Sequence, residues 1–290
     1  MKKLFGRTHD YLSLIRFSHT IFAMPFALAG YFIGATRPGY GFTLKTFLLV
    51  LACMVFARSA AMGFNRWADM YFDSLNPRTA VREIPSGKIT PRQALLFVTA
   101  SSLLFILSAA LLNKLTFILS PVALIIVLGY SYTKRFTPLC HLVLGLGLSL
   151  APIGAYLAVT GSFALLPLLY SFIVLTWVSG FDIIYSLQDD QFDRDTGLYS
   201  IPAVMSRGKA LAISVVLHLI TAALVVVAGV YGQAGFIYWT GAAIFTGLLI
   251  FQHMIVRPDD LSRVNLAFGT TNGISGVIFG LAVVLDLLLL

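Results

Sequence analysis

Two groups of acidic residues in this chain are spaced to hold metal. Asn65, Asp69 and Asp73 stand four residues apart, and Asp189 and Asp193 repeat the interval more than a hundred residues later, with Asp182 ahead of them and Asp190 and Asp195 close by. On a helix, residues four apart lie on one face, so each group makes a ladder of oxygen ligands. Mg2+ is a hard cation, held by one or two carboxylates together with substrate phosphates and water. Two carboxylate sets on separate helices suit metal ions that bridge a diphosphate. Asn65, Asp69, Asp73, Asp189 and Asp193 are therefore the candidate Mg2+ ligands. Solvated loop acids are the bland alternative, and two matched sets fit it less well than one. Cations follow each group: Arg78, Arg82 and Lys88 after the first, and Lys134 and Arg135 just after Tyr130. Arg grips phosphate oxygens bidentately and Lys acts as a point charge.

The rest of the chain must position these groups, and its composition says in what solvent. Of 290 residues, 58% are hydrophobic and 11% charged, against roughly a quarter charged in soluble domains. That excludes an ordinary soluble enzyme. The net charge of +8 raises nucleic acid as a partner, but so few charges in so apolar a chain argue against it. Cys53 and Cys140 lie in apolar runs and form neither a disulfide framework nor a CxxC site. The basic start, Met1 to Arg7, precedes a long apolar stretch containing Pro25 without a cleavage signature, and reads as a retained first membrane helix.

About 20 mostly apolar residues cross a bilayer. Nine segments qualify, near 17–36, 46–65, 93–112, 115–131, 137–159, 163–181, 209–231, 234–256 and 264–289. The expected fold is an all-α integral membrane protein, a bundle of about nine helices around a central cavity, forming one domain over 1–290. Asn113-Lys114 alone divides the third and fourth spans, which predicts a tight helical hairpin. With nine spans, 17 of the 20 Lys and Arg residues fall on the side of the N-terminus, and only Arg37, Lys45 and Lys114 on the other. The positive-inside rule then puts the N-terminus and the even-numbered loops in the cytoplasm, as expected of a multi-pass protein of a bacterial inner membrane. Every acid but Asp286 shares that side, and Asp286, near the end of the last run, predicts that this terminus emerges from the lipid. The two long loops share a plan, aspartates four apart, then Ile-Pro, then Gly-Lys (Ile84-Pro85 and Gly87-Lys88; Ile201-Pro202 and Gly208-Lys209). That suggests pseudo-repeat halves near 1–135 and 136–290.

These motifs together carry a resemblance. Asn65, Asp69 and Asp73; then Arg78-Thr79-Ala80, Arg82 and Pro85-Ser86-Gly87; then Tyr130 and Lys134; then Asp182, Tyr185-Ser186, Gln188-Asp189 and Asp193 resemble the UbiA superfamily of intramembrane aromatic prenyltransferases over most of the chain. The resemblance implies that both aspartate motifs bind Mg2+ and prenyl diphosphate, with Asp69, Asp73, Asp182, Asp189 and Asp193 catalytic. It gives Arg82, Lys134 and Arg135 contact with the diphosphate, and Asn65, Arg78, Tyr130 and Tyr185 are counted with the substrate-binding set. The implied reaction moves a polyprenyl group from an allylic diphosphate to an aromatic acid, in ubiquinone or menaquinone biosynthesis. This chain departs from 4-hydroxybenzoate members at Asn65-Arg66, at Arg82-Glu83 and near Tyr199, where they place a lysine. Its opening, Ile15 to Ala27, is similar to the futalosine-route menaquinone branch, which prenylates a dihydroxynaphthoate. Both acceptors stay open, as does a haem-type ring in a protohaem farnesyltransferase.

Such chemistry asks for metal and cations that stabilise the departing diphosphate, and for a dry cavity in which an allylic cation meets a ring and not water. Among 23 phenylalanines and 12 tyrosines, some are expected to line it. Arg16, with His19 close by, is a candidate for the acceptor carboxylate. His141, His218 and His253 are scattered and suggest no zinc site. Gly147, Ala151, Gly154 and Ala158, with Gly30 and Gly34, are expected to serve close helix packing. The expected partners are polyprenyl diphosphate, an aromatic acid and lipid, without nucleic acid or an obligatory protein partner. A cation-coupled transporter is the rival class, but transporters gather ionisable groups near the midplane, and here they collect at helix ends on one side.

Overall fold

The computed structural model describes residues 10–15 and 20–289, and the regular elements among them are all helical. In chain order they are α1 (Thr20–Ala35), α2 (Leu44–Ala68), α3 (Met70–Leu75), α4 (Pro91–Leu112), α5 (Lys114–Thr133), α6 (Cys140–Thr160), α7 (Leu165–Ser186), a 3-10 turn (Leu187–Asp189), α8 (Asp190–Thr196), α9 (Ile201–Val204), α10 (Arg207–Tyr231), α11 (Phe236–Ile255), a π-helical turn (Leu266–Thr271) and α12 (Asn272–Leu289). Helices satisfy every backbone polar group within one segment, which lipid demands. Among the described residues eight are long and apolar enough to cross a membrane; the expected first span is α1, shorter at 16 residues. The protein is a multi-pass integral membrane protein.

Local chemistry punctuates the chain where expected. Thr90 and Gln93 close a capping box at α4, with Pro91 in its first turn. Asn113 alone separates α4 from α5; its side chain accepts from Thr116 N at 3.0 Å and donates to Leu157 O at 2.8 Å, pinning the hairpin to α6. Gly161 and Gly197 end α6 and α8 at φ 64° and 70°, where any side chain is strained.

The long helices follow one another in a closed ring, α2, α4, α5, α6, α7, α10, α11, α12, α1 and back to α2, and α1 also packs along α6. That contact pinches the ring into two lobes. One lobe is filled with Phe26, Tyr170, Trp177, Phe245 and Phe279, all buried. The other, between α2, α4, α5 and α6, holds a cavity of about 370 Å³. Helix approach at the pinch depends on glycine, since a Cβ on Gly30 meets the Pro152 backbone and one on Gly34 meets Val159. Those two serve close packing as expected. Gly154 does not: it lines the cavity, and a Cβ there meets nothing within 4 Å, whereas Gly147 lines the cavity beside Val127 of α5, 3.7 Å from where its Cβ would stand.

Asp286 is buried, accepting from Gly235 N at 2.8 Å and Tyr238 N at 3.1 Å. The carboxylate of α12 thus satisfies orphan donors at the start of α11.

Candidate active site

The first acid group forms where α2 stops. Asp69 is its C-cap and Asp73 belongs to α3, so the helix bends between them. Backbone bonds from Asp69 N to Asn65 O (2.9 Å) and from Asp73 N to Asp69 O (2.8 Å) carry the helical interval across the bend. The predicted ladder is therefore present, broken by a turn. Asn65 Nδ2 donates to Asp69 Oδ2 at 2.9 Å. The second group begins with Asp182 in the last turns of α7, passes through the 3-10 turn at Asp189 and ends with Asp193 in α8.

The two groups meet across the end of the bundle. Asn76 Nδ2 donates to Asp189 Oδ1 at 3.1 Å, and Arg78 grips the same carboxylate with Nε (3.0 Å) and Nη2. Arg78 Nη1 also donates to Tyr185 Oη at 2.9 Å. Arg82 Nη1 donates to Asp73 Oδ1 at 2.6 Å. Lys134 Nζ stands 2.7 Å from Asp193 Oδ1, an ion contact outside hydrogen-bond angles. Arg135 Nη2 lies 3.6 Å from Asp69 Oδ1 and donates to Ala68 O at 2.6 Å. Each of the four candidate metal-binding aspartates thus faces one of four cations expected at the diphosphate.

That pairing explains why, among the described residues, no three His, Cys, Asp or Glu side chains converge on one point. The donors still fit a hard divalent ion. They are all oxygens, and Asp73 Oδ2 is buried with no hydrogen-bond partner, an expensive state for a carboxylate oxygen unless a cation takes it up. Burial pushes the Asp69 carboxyl up to about 6, the Asp73 carboxylate adding to it against the pull of Lys134, Arg135 and Arg82.

Below the acids the cavity opens. It runs from Arg58 and Tyr130 to Leu112 and Phe163 near the opposite membrane face. Tyr130 lies within charge range of Asp69, Asp182 and Arg58. Arg58 was counted in the sequence only among the topology-setting cations. Its Nε is buried without a hydrogen-bond partner at the wall of an apolar space. The signal that finds it is a lone arginine inside a spanning run. Arg16, the expected acceptor ligand, lies outside the described residues.

His141 is the other residue sequence reasoning passed over. It is buried, Nε2 accepts from Ile201 N at 3.3 Å, and Nδ1, which then carries the proton, donates to Asp182 Oδ2 at 2.7 Å. Asp190 is structural: Arg194 (2.6 Å) and Arg207 (2.8 and 2.9 Å) both donate to it, tying α8 to α10.

The model of the UbiA prenyltransferase family matches residues 23–277. The chain is 32% identical over 248 residues, 84% of each protein, to a 4-hydroxybenzoate octaprenyltransferase of Nitrosospira multiformis. It is similar to the apo structure of a UbiA homolog from Aeropyrum pernix K1, with TM-score 0.84 and 36% identity, covering 93% of this chain and 98% of that one. The fold is also that of a UbiA homolog from Archaeoglobus fulgidus bound to GPP and Mg2+, with TM-score 0.69, 21% identity, and 95% and 99% covered.

Proposed function

Because the chain belongs to the UbiA prenyltransferase family, we propose that it transfers a polyprenyl group from an allylic polyprenyl diphosphate to an aromatic acid, of the 4-hydroxybenzoate or 1,4-dihydroxy-6-naphthoate type, in quinone biosynthesis. One observation carries the reading: four aspartates, each matched by a cation, gather at one end of the bundle, next to an apolar cavity between the spans whose wall residue Tyr130 lies within charge range of Asp69. Such a site takes a charged diphosphate while the cavity takes its hydrocarbon. The names of the sequence relatives support the donor and the acid, and their membership in one family supports the reaction class.

Asn65, Asp69, Asp73, Asp189 and Asp193 are the residues that would hold Mg2+, which supplies Lewis-acid charge at the leaving group. With those carboxylates engaged by the ion, Arg78, Arg82, Lys134 and Arg135 would be free to hold phosphate oxygens. The cations then hold the diphosphate while its allylic C–O bond breaks. Tyr130, at the top of the cavity, offers a π-face to the allylic cation. Arg58 binds the acceptor carboxylate from inside the cavity and so aims the ring at that cation. The ring's electron pair forms the new C–C bond, and the ring proton must then leave. Asp182 receives it, since it is paired to an imidazole and not to Arg or Lys, and His141 holds it in place. The apolar walls exclude water, which would otherwise capture the cation as an alcohol.

The cation count supports an orientation with this site on the cytoplasmic side, and we place the protein in a bacterial inner membrane. The test is a product assay. Protein in nanodiscs receives a long-chain allylic diphosphate, Mg2+, and 4-hydroxybenzoate, 1,4-dihydroxy-6-naphthoate or haem. The expected result is pyrophosphate release that depends on an aromatic acid, with a product heavier by one prenyl group. Absence of pyrophosphate with every acceptor, alongside ion-driven solute uptake, would favour a transporter.

A further inference from the structure

The last span begins with six residues of π-helix, Leu266–Thr271, the one such segment among the described residues. A π turn carries an extra residue at poorer geometry and persists where something holds it. Here Asn272 Nδ2 donates to Ala267 O at 2.9 Å, Thr271 Oγ1 donates to Leu266 O at 3.2 Å, and Trp177 Nε1 donates to Asn272 Oδ1 at 3.2 Å. The turn therefore stands on side chains of two helices, α7 and α12. Its product is the placement of Phe268. That ring stacks on Tyr185 with centroids 4.0 Å apart and planes at 29°, and meets Phe181 edge-on at 5.6 Å and 69°. Phe181 and Tyr185 are one turn apart on α7, so the two contacts fix the ring against a single helix face.

Tyr185 is in turn the side-chain support of Arg78. Its hydroxyl accepts from Arg78 Nη1, and the guanidinium carbon sits 5.4 Å from its ring centroid. Among the described residues, the Arg78 guanidinium meets the side chains of Asp189 and Tyr185 and no other. When Asp189 is taken from it, Tyr185 is what remains to aim the guanidinium. We propose that Phe268 is a positioning residue for the diphosphate site: presented by the π turn, it clamps Tyr185, which holds Arg78 at the angle from which it grips a phosphate. This rests on the proposed role of Arg78 at the diphosphate. Phe268 itself touches no substrate, and its effect passes through two side chains.

A double-mutant cycle in nanodiscs tests it, reading pyrophosphate binding with Mg2+ by calorimetry, the donor KM and kcat, and thermal unfolding. Arg78→Lys weakens pyrophosphate binding by tenfold or more if Arg78 grips phosphate; unchanged binding in this variant overturns the parent reading, and the proposal with it. Given that loss, Phe268→Ala is expected to weaken binding by about fivefold and raise the donor KM with kcat changed less. Phe268→Tyr, which keeps the stacked ring, restores both. In the Arg78→Lys background Phe268→Ala is expected to add little. An equal loss in both backgrounds, or a loss that follows unfolding temperature and not the Tyr rescue, means that Phe268 is merely structural and overturns the proposal.

Discussion

A phenyl group placed at Gly154 should shorten the donor this protein accepts. Gly154 faces the cavity with open space where a Cβ would stand, and Gly147 faces it two turns nearer the acids. At 1.5 Å per residue the two positions lie about 10 Å apart along α6. If the prenyl chain extends from the diphosphate along this groove, Gly154→Phe blocks its distal half and Gly147→Phe blocks it about 10 Å sooner. Forcing a long donor past such a block costs about 1–3 kcal/mol of overpacking, which is about 5- to 150-fold in kcat/KM. Donors that end before the block are spared. Both substitutions also replace a helical glycine, which favours the helix by up to about 1 kcal/mol, so folding survives. The assay offers diphosphates of graded length and reads products by mass. The expected cut-off is shorter for Gly147→Phe than for Gly154→Phe. A parallel fall across all lengths, or no fall at all, would refute the placement of the chain in this cavity.

Asp69→Asn and Asp189→Asn should each lower turnover at least about a hundredfold without lowering the unfolding temperature, and near-normal turnover in either would remove the metal assignment. Arg58→Met should raise the KM for the aromatic acid about 10- to 150-fold, the worth of a charge-assisted hydrogen bond of about 1.5–3 kcal/mol, and leave the donor KM alone; an unchanged acceptor KM counts against its role. The pH dependence has a defined sign. Asp69 titrates near 6 in the folded protein, above its ordinary value, so below that pH it holds a proton that a metal must displace. Apparent Mg2+ affinity should fall about tenfold per pH unit below 6 and level off above it, as read by calorimetry; a flat profile between pH 5 and 7 would contradict the burial argument.

Much of the site was legible because the acids and cations recur at helical intervals and at span ends, where periodicity and charge counting both apply. Asp69 and Asp73 came from spacing, and the Asn113 hairpin from the length of two apolar runs. What escaped was whatever depends on which helix lies opposite. Arg58 looks like any boundary cation until the cavity beside it is seen. Gly154 and Gly30 are the same residue in similar surroundings, yet one faces open space and the other the Pro152 backbone. Asp286 caps a helix that begins some fifty residues earlier, a contact that only the fold provides. The pairing of Arg78, Arg82, Lys134 and Arg135 with the aspartates was hidden for the same reason, since both partners had been read as facing a ligand and not each other.

That pairing is where the account is most exposed. If the four cations are held by the aspartates until metal takes the carboxylates, pyrophosphate binding must depend on Mg2+. Calorimetric titration of the protein in nanodiscs with pyrophosphate, with and without Mg2+, measures this directly. The account predicts binding at least about tenfold tighter with Mg2+, a coupling of about 1.4 kcal/mol or more, and loss of that difference in Asp69→Asn. Equal affinity in the two titrations would contradict it.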